Sequence, residues 1–368
     1  MKILLLSPYH AKSHQSWCEG LIKHISADWT LLSLPPRHFS WRIRGNSLFW
    51  AFSDAELLRH DYDLIIATSM TDLNGLMGFV PQLAQIPSIL YFHENQFAYP
   101  SSASARDNVE PKLVPFYAAL SARRVCFNTQ YNYDSFIEGA RQLLKRLPDC
   151  IPAGLLEIIQ QKSQILSVPI ANELFLHKEN KRADVFSIVW NHRWEYDKWP
   201  ECFFKALEKL KAHKIEFELH VLGEQFEKQP SVFSIARQQF SENIINWGRI
   251  KDRGEYQKVL SQSHVVVSTA LHDFQGLSVL ESVAAGCVPI VPDRLAYVEL
   301  FSPEYRYASS DDLNQQAEIL ANHIIALYQR FEKGEALHAP DVSVFSWRSK
   351  QVDYQSMLEK LVASNDIG

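Results

Sequence analysis

The sequence contains no uninterrupted apolar run of the ~20 residues needed to cross a bilayer. Its start reads as a short strand, Lys2–Leu6, followed by polar residues, so neither a signal peptide nor an anchor is expected. Cysteine is scarce: five residues, an odd number, with no Cys-x-x-Cys. That points to a reducing compartment, read here as the cytosol, and away from a structural zinc site. No G-x-S-x-G, P-loop or G-x-G-x-x-G occurs, and His93-Glu-Asn-Gln96 is not His-Glu-x-x-His. Serine hydrolase, NTPase, ordinary dinucleotide and zinc hydrolase chemistry therefore lose support. Low-complexity segments and short repeats are missing too. A basic excess is also absent: the formal net charge is −5, so nucleic-acid binding is not advertised globally. The charge is uneven, however. Residues 1–170 hold 15 Lys and Arg against 14 Asp and Glu, and the rest holds 22 against 28. An anionic macromolecule would meet the first half more readily.

What is present suits a packed soluble chain, with 46% hydrophobic and 12% aromatic residues over 368 positions. That length exceeds one ordinary core and predicts two domains. Short apolar runs at Ile3–Leu6, Thr30–Leu34, Asp63–Thr68, Ser88–Phe92, Arg124–Phe127 and Ile165–Val168 alternate with helix-length segments. The first helix is expected from His14 to about Ser26, capped by Ser13, with Trp17, Cys18, Leu21, Ile22 and Ile25 on one face. Pro169–Asp184 is polar and reads as an interdomain linker (residues 171–184). The pattern then restarts: strand Phe186–Trp190, helix Pro200–Ala212, strand Phe217–Leu222, helix Ser231–Phe240, strand Asn243–Trp247 and helix Glu255–Ser261. A βαβ unit follows, His264–Val291, and then helical stretches at Asp311–Phe331 and Phe345–Leu361. This alternation is the signature of α/β domains with parallel, doubly wound sheets. The expected fold is two Rossmann-like domains, 1–170 and 185–345, facing across a cleft, with the helix in 346–368 crossing back to the first.

The βαβ unit is the most informative stretch. Its loop carries Asp273, its helix starts at Gly276, and Glu281 lies inside the helix. Loops at the C-terminal edge of a parallel sheet are where such domains place ligands. The backbone amides around Gly276, Leu277 and Ser278 can hold phosphate, and the two carboxylates can take sugar hydroxyls. The alternative is a capping Asp and a solvated Glu. In Trp190-Asn-His-Arg-Trp-Glu-Tyr-Asp-Lys198, Arg193 and Lys198 follow a strand at the same edge. Two fixed cations there suit a diphosphate; the alternative is an ion pair of Arg193 with Glu195. Gly248 and Arg249 end another strand, where a nucleobase could approach the backbone or a plain turn glycine could sit. In the first half, His93 ends a strand and could reach a reacting sugar, or be a structural histidine. Asn128-Thr129 reads as a helix cap. The loop Ser7–His14 offers amides and hydroxyls to a substrate. Pro35–Arg44 interleaves aromatics with Arg37, Arg42 and Arg44, which suits RNA; the alternative is a surface loop with Trp41 packed inward.

Asp273-x7-Glu281, with Gly276 between, resembles the E-x7-E motif of retaining glycosyltransferases with two Rossmann domains (the GT-B architecture). Arg193 and Lys198 match that group's diphosphate-binding pair. Leu34-Pro35 with Trp41-Arg-Ile-Arg44, Ile89-Leu-Tyr-Phe-His-Glu-Asn-Gln96, Val125-Cys-Phe-Asn128, Trp190–Lys198, Val221-Leu-Gly-Glu224, Asn246-Trp-Gly248 and Phe345-Ser-Trp347 resemble the tRNA-queuosine α-mannosyltransferases. The resemblance implies GDP-mannose as donor and queuosine at the wobble position of aspartate tRNA as acceptor. The residue patterns and the resemblance together assign His93, Asp273, Arg193 and Lys198 to catalysis. Glu281, Gly276, Leu277, Ser278, Gly248 and Arg249 go to the donor, and Ser13, His14, Arg37, Trp41, Arg42, Arg44, Glu94 and Asn95 to the acceptor. No metal, cofactor, membrane or obligate protein partner is expected. Two departures stand out: Asp273 is one methylene shorter than the usual Glu, and Ala11-Lys12 replaces a common Gly-Gly. Two alternatives remain open. One is a lipid-linked or envelope saccharide acceptor, for which Arg141–Leu147 is a weak basic helix; the other is a non-catalytic nucleotide-sugar or RNA binder.

Overall fold

The computed structural model describes residues 1–99, 109–176, 181–226 and 229–363. The chain forms two compact units, residues 1–169 with 347–368, and residues 170–346.

In the first unit the strands are β1 (Lys2–Ser7), β2 (Asp28–Ser33), β3 (Leu64–Thr68), β4 (Ser88–Phe92), β5 (Arg124–Phe127) and β6 (Ser163–Ile165). They pair in parallel in the order β2-β1-β3-β4-β5-β6. β3 and β4 are buried at every position, as strands covered on both faces must be. The order reverses between β1 and β3, so the loops after β1, β3 and β4 gather at one C-terminal edge.

The first helix runs Lys12–His24; Ala11 is its N-cap, without a side-chain bond. Ser13 is thus exposed inside the first turn and is not the cap. Ile22 is 41% exposed, because the buried face is set by His14, Trp17, Cys18 and Leu21. Thr129 does cap its helix, accepting from the Asn132 amide at 3.1 Å. The expected strand Ile165–Val168 begins two residues earlier and ends at Ile165. Beyond it, the carbonyls of Leu166 and Ser167 take the hydroxyls of Tyr91 and Tyr354 at 2.6 and 3.1 Å. Tyr354 lies on the closing helix Trp347–Ala363, which belongs to this unit. Trp17 donates to its hydroxyl at 3.1 Å, and Trp347 stacks on His24 with centroids 4.9 Å apart.

The second unit contains β7 (Phe186–Asn191), β8 (Phe217–Leu222), β9 (Ile244–Gly248), β10 (Val265–Val267), β11 (Val288–Pro292) and β12 (Arg306–Tyr307). They pair in parallel in the order β12-β11-β10-β7-β8-β9. The reversal falls between β7 and β10, so the loops carrying Arg193 and Asp273 leave neighbouring strands. β10 spans only Val265–Val267; beyond it the Ser268 amide still donates to the Ile290 carbonyl of β11 at 2.9 Å, while Ser268 Oγ bonds Tyr297 at 2.8 Å and Thr269 Oγ1 donates to the Lys198 carbonyl at 2.7 Å. Of the polar stretch Pro169–Asp184, residues 177–180 lie outside the described part. The portion before them is built into the second unit, with Ile170 and Leu174 in its core.

Candidate functional site

β7 ends at Asn191, and the loop that follows must turn sharply to bring Arg193 and Lys198 to the edge. Gly223 makes room for it: a Cβ there would lie 1.7 Å from the His192 carbonyl oxygen, at φ 134°. Trp194 is buried and lies flat on Phe233, centroids 4.1 Å apart, which anchors the loop. A short 3₁₀ turn, Tyr196–Lys198, then carries Lys198 inward to 7% exposure. Its ammonium donates to the His272 carbonyl at 2.5 Å and lies 3.3 Å from Asp197 and 3.5 Å from Asp273. The Leu271 amide donates to the Asp197 carbonyl at 2.8 Å, so the two loops are one structure.

Asp273 is the best-held group here. One oxygen accepts from the Gly276 amide at 2.8 Å and the other from Tyr297 at 3.0 Å. Burial opposes its ionisation, but Lys198, His192, the Gly276 amide and Tyr297 outweigh that and hold its carboxyl at about 2. Gly276 has φ 66°, and a Cβ on it would lie 2.8 Å from the Tyr297 ring, so both backbone and space require glycine. Its amide is taken by Asp273, which corrects the expectation that it holds phosphate. The first intrahelical bond of Leu277–Ala284 runs from Leu280 to Gly276, so the amides of Leu277 and Ser278 have no acceptor within the helix.

Glu281 accepts from Tyr256 at 2.7 Å. Burial pushes its carboxyl above the usual range, against the pull of Tyr256 and Arg253. Asn191 donates to Tyr256, and to the Ser278 carbonyl, at 2.7 and 3.1 Å, tying β7 to both helices. Arg193 is 48% exposed and pairs with Glu195 at 2.7 Å, as the alternative reading of that loop anticipated. His192 is buried, its Nε2 has no hydrogen-bond partner, and burial and then Lys198 press it down to about 3. Gly248 has φ 98° at the end of β9, and Arg249 beside it is exposed. His192, Tyr256, Asn191 and Tyr297 were not singled out from sequence. The first and third lie in the Trp190–Lys198 run; the tyrosines, far along the chain, carry no local signal.

In the first unit His14 and His93 come together, rings 4.3 Å apart, with Trp17 edge-on to His93 at 4.7 Å. His14 Nδ1 and His93 Nε2 are buried without hydrogen-bond partners. Burial, and then His14, hold His93 well below the ordinary imidazole range. Glu94 accepts from Tyr99 at 3.2 Å. Asn95 is 1% exposed; its amide donates to Asn132 and Ser135, and its oxygen accepts from Phe97 and Ala98. It clamps the loop and has no capacity left for a substrate. The stretch Pro35–Arg44 is only partly a loop, since a helix starts at Phe39. Trp41 is 60% exposed rather than packed inward. Arg42 is half-buried with Nε unpartnered, Arg37 is exposed, and Arg44 is paired with Asp72 at 3.2 Å and with Glu110. Among the described residues no group of three or more His, Cys, Asp or Glu is placed to hold a metal ion. No described helix is long and apolar enough to cross a membrane.

Two parallel α/β units, with cations and carboxylates gathered at the switch point of the second, define a glycosyltransferase of the GT-B type. Residues 172–338 match the model for glycosyl transferases group 1. The fold resembles sucrose-phosphate synthase from Thermosynechococcus elongatus (TM-score 0.70, 14% identity, 99% of each chain). It also resembles a UDP-forming α,α-trehalose-phosphate synthase from Burkholderia xenovorans (TM-score 0.66, 14% identity, 98% of each chain). Residues 2–170 match the N-terminal model of tRNA-queuosine alpha-mannosyltransferase. A Drosophila melanogaster protein of that name is 31% identical over 326 residues, 85% of each chain. The chain belongs to the tRNA-queuosine alpha-mannosyltransferase family and is a hexosyltransferase.

Proposed function

We propose that the chain transfers mannose from GDP-mannose, with retention, to queuosine at the wobble position of aspartate tRNA. The observation that carries the donor half is the convergence of Lys198, Asp273 and the Gly276 turn at the switch point of the second sheet. In this reading Arg193, Lys198 and the amides of Leu277 and Ser278 hold the diphosphate. Glu281, braced by Tyr256, accepts ribose hydroxyls with its other oxygen. Gly248 and Arg249 border the base. Asp273 takes a mannose hydroxyl only through lone pairs not already used by Gly276 and Tyr297; its main work is to fix Lys198. The first unit supplies His93 to the sugar and Ser13, His14, Arg37, Trp41, Arg42 and Glu94 to the acceptor.

The anomeric carbon loses its bond to the leaving phosphate and gains one to an acceptor hydroxyl on the same face. The hydroxyl proton passes to the departing phosphate oxygen. Charge grows on that phosphate as the bond breaks, and fixed cations stabilise it without reorganising. Lys198 and Arg193 take the place of a metal ion in this scheme. The acceptor rests on the family and on the aromatic and cationic residues of the first unit. The test incubates the protein with GDP-mannose and tRNA, with and without queuosine, and weighs the digested nucleosides. One hexose is expected on queuosine alone. Hexose on tRNA lacking queuosine, or on neither, refutes the acceptor; GDP release without transfer to either keeps the donor half.

A further inference from the structure

Trp41 is a large apolar side chain 60% exposed on the helix Phe39–Ser53. Its setting is built. A Cβ on Gly45, one turn later, would lie 2.5 Å from Trp41 Cε2 and 2.8 Å from its Nε1. The indole therefore lies along the helix over the backbone of residue 45, with its other side towards solvent. Glycine inside a helix is less favourable than alanine, so the residue is costly here unless the ring needs the space.

The helix beneath the ring is fixed. Asn46 donates to the Met70 carbonyl at 3.2 Å and accepts from the Asp72 amide at 3.1 Å, and Ser47 donates to the Asp72 carboxylate at 2.9 Å. Arg44 pairs with the same carboxylate. These bonds pin the helix to the loop after β3. The helix starts just beyond the C-terminal end of β2, where Phe39 meets Tyr9 of the β1 loop edge-on at 6.0 Å. Trp41 thus shares a sheet edge with the helix start that carries His14 and the loop that carries His93. Arg37 and Arg42 flank it, the first exposed and the second with an unpartnered Nε.

We propose that Trp41, seated on Gly45 and flanked by Arg37 and Arg42, is a preset stacking platform for one unpaired base of the RNA acceptor. The inference rests on the acceptor being RNA and says how the first unit takes hold of it. A flat aromatic face accepts any base, and cations beside it meet the phosphates on either side. Farther along the helix, Leu48, Phe49 and Phe52 are also exposed, with Phe52 against Phe79 at 5.6 Å. No cation accompanies them on that stretch of the helix (Leu48–Ser53), so they do not suit RNA.

The experiment measures affinity for an anticodon stem-loop RNA, and for a fully paired duplex of equal length, by fluorescence anisotropy. The native chain is expected to prefer the stem-loop. Trp41→Ala should weaken that binding about ten-fold, within the range for one base stacked on one aromatic, while Trp41→Phe retains most of it. Gly45→Ala should weaken it several-fold at a melting temperature no lower than the native chain's, because the new methyl lifts the indole from its seat while alanine favours the helix. Phe52→Ala should bind RNA as the native chain does. Native affinity in both Trp41→Ala and Gly45→Ala overturns the platform. An equal loss in Phe52→Ala also overturns it and points to an apolar protein contact. If the native chain binds no stem-loop, the RNA acceptor itself is refuted.

Discussion

Replacing Asp273 by asparagine keeps the shape of the side chain and removes its charge. In the fold Asp273 lies 3.5 Å from the buried Lys198 ammonium and accepts from Gly276 and Tyr297. Its carboxyl stands at about 2 against an ordinary 3.8. A carboxyl depressed in the fold contributes stability above its unfolded value and loses it as pH falls through the folded one. The difference is worth about 2 kcal/mol at pH 7, falling to about 1 kcal/mol at pH 3 and near zero below pH 2. Asp273→Asn should therefore be less stable than the native chain by at least about 2 kcal/mol at pH 7, and the gap should halve by pH 3. Urea unfolding of both proteins at pH 7, 5 and 3 reads it, since titrating groups that do not face Asp273 cancel in the difference. A gap that is absent at pH 7, or constant from pH 7 to 3, would refute the ion pair as the source of the shift.

Arg193→Ala removes a 48% exposed side chain, so stability should move by less than about 0.5 kcal/mol while transfer falls about a hundred-fold; intact turnover in a transfer assay would sink the diphosphate assignment. Tyr256→Phe frees the Glu281 carboxylate from its 2.7 Å donor and should raise KM for the nucleotide sugar several-fold with kcat nearly unchanged, read from initial rates. Gly276→Ala must hold φ 66° against the Tyr297 ring and should cost about 1–3 kcal/mol in urea unfolding; a neutral result would mean that the turn is not constrained. Gly20→Ala places a methyl 2.3 Å from the Trp347 ring and should loosen the closing helix, seen as faster amide exchange in Trp347–Ala363.

Much of the architecture was legible in one dimension. Ser88–Phe92, Arg124–Phe127 and Phe217–Leu222 are strands with the boundaries read from sequence, and Pro200–Ala212 is a helix likewise. Such segments are buried on two faces or amphipathic along their length, and burial writes itself into local pattern. The start of the helix Phe39–Ser53 within the stretch Pro35–Arg44 was missed because Pro35 and Pro36 advertise a turn, while the helix is held by Asp72 and Met70 far along the chain.

By itself, then, the sequence determined the alternation of strands and helices, and with it the sheet edge on which Arg193, Lys198, Asp273, Gly276 and Glu281 fall. It carried the family, too, in runs such as Tyr91–Gln96 and Trp190–Lys198. Only the tertiary structure decided how those groups are employed. Lys198 is buried on a carbonyl, the Gly276 amide belongs to Asp273, Asn95 is a clamp and Trp41 rides on Gly45. The physical reason is that a pattern of residues sets which face a side chain takes, through the local period of the backbone. Its hydrogen-bond partners come from distant segments, and those are fixed only when the sheets close.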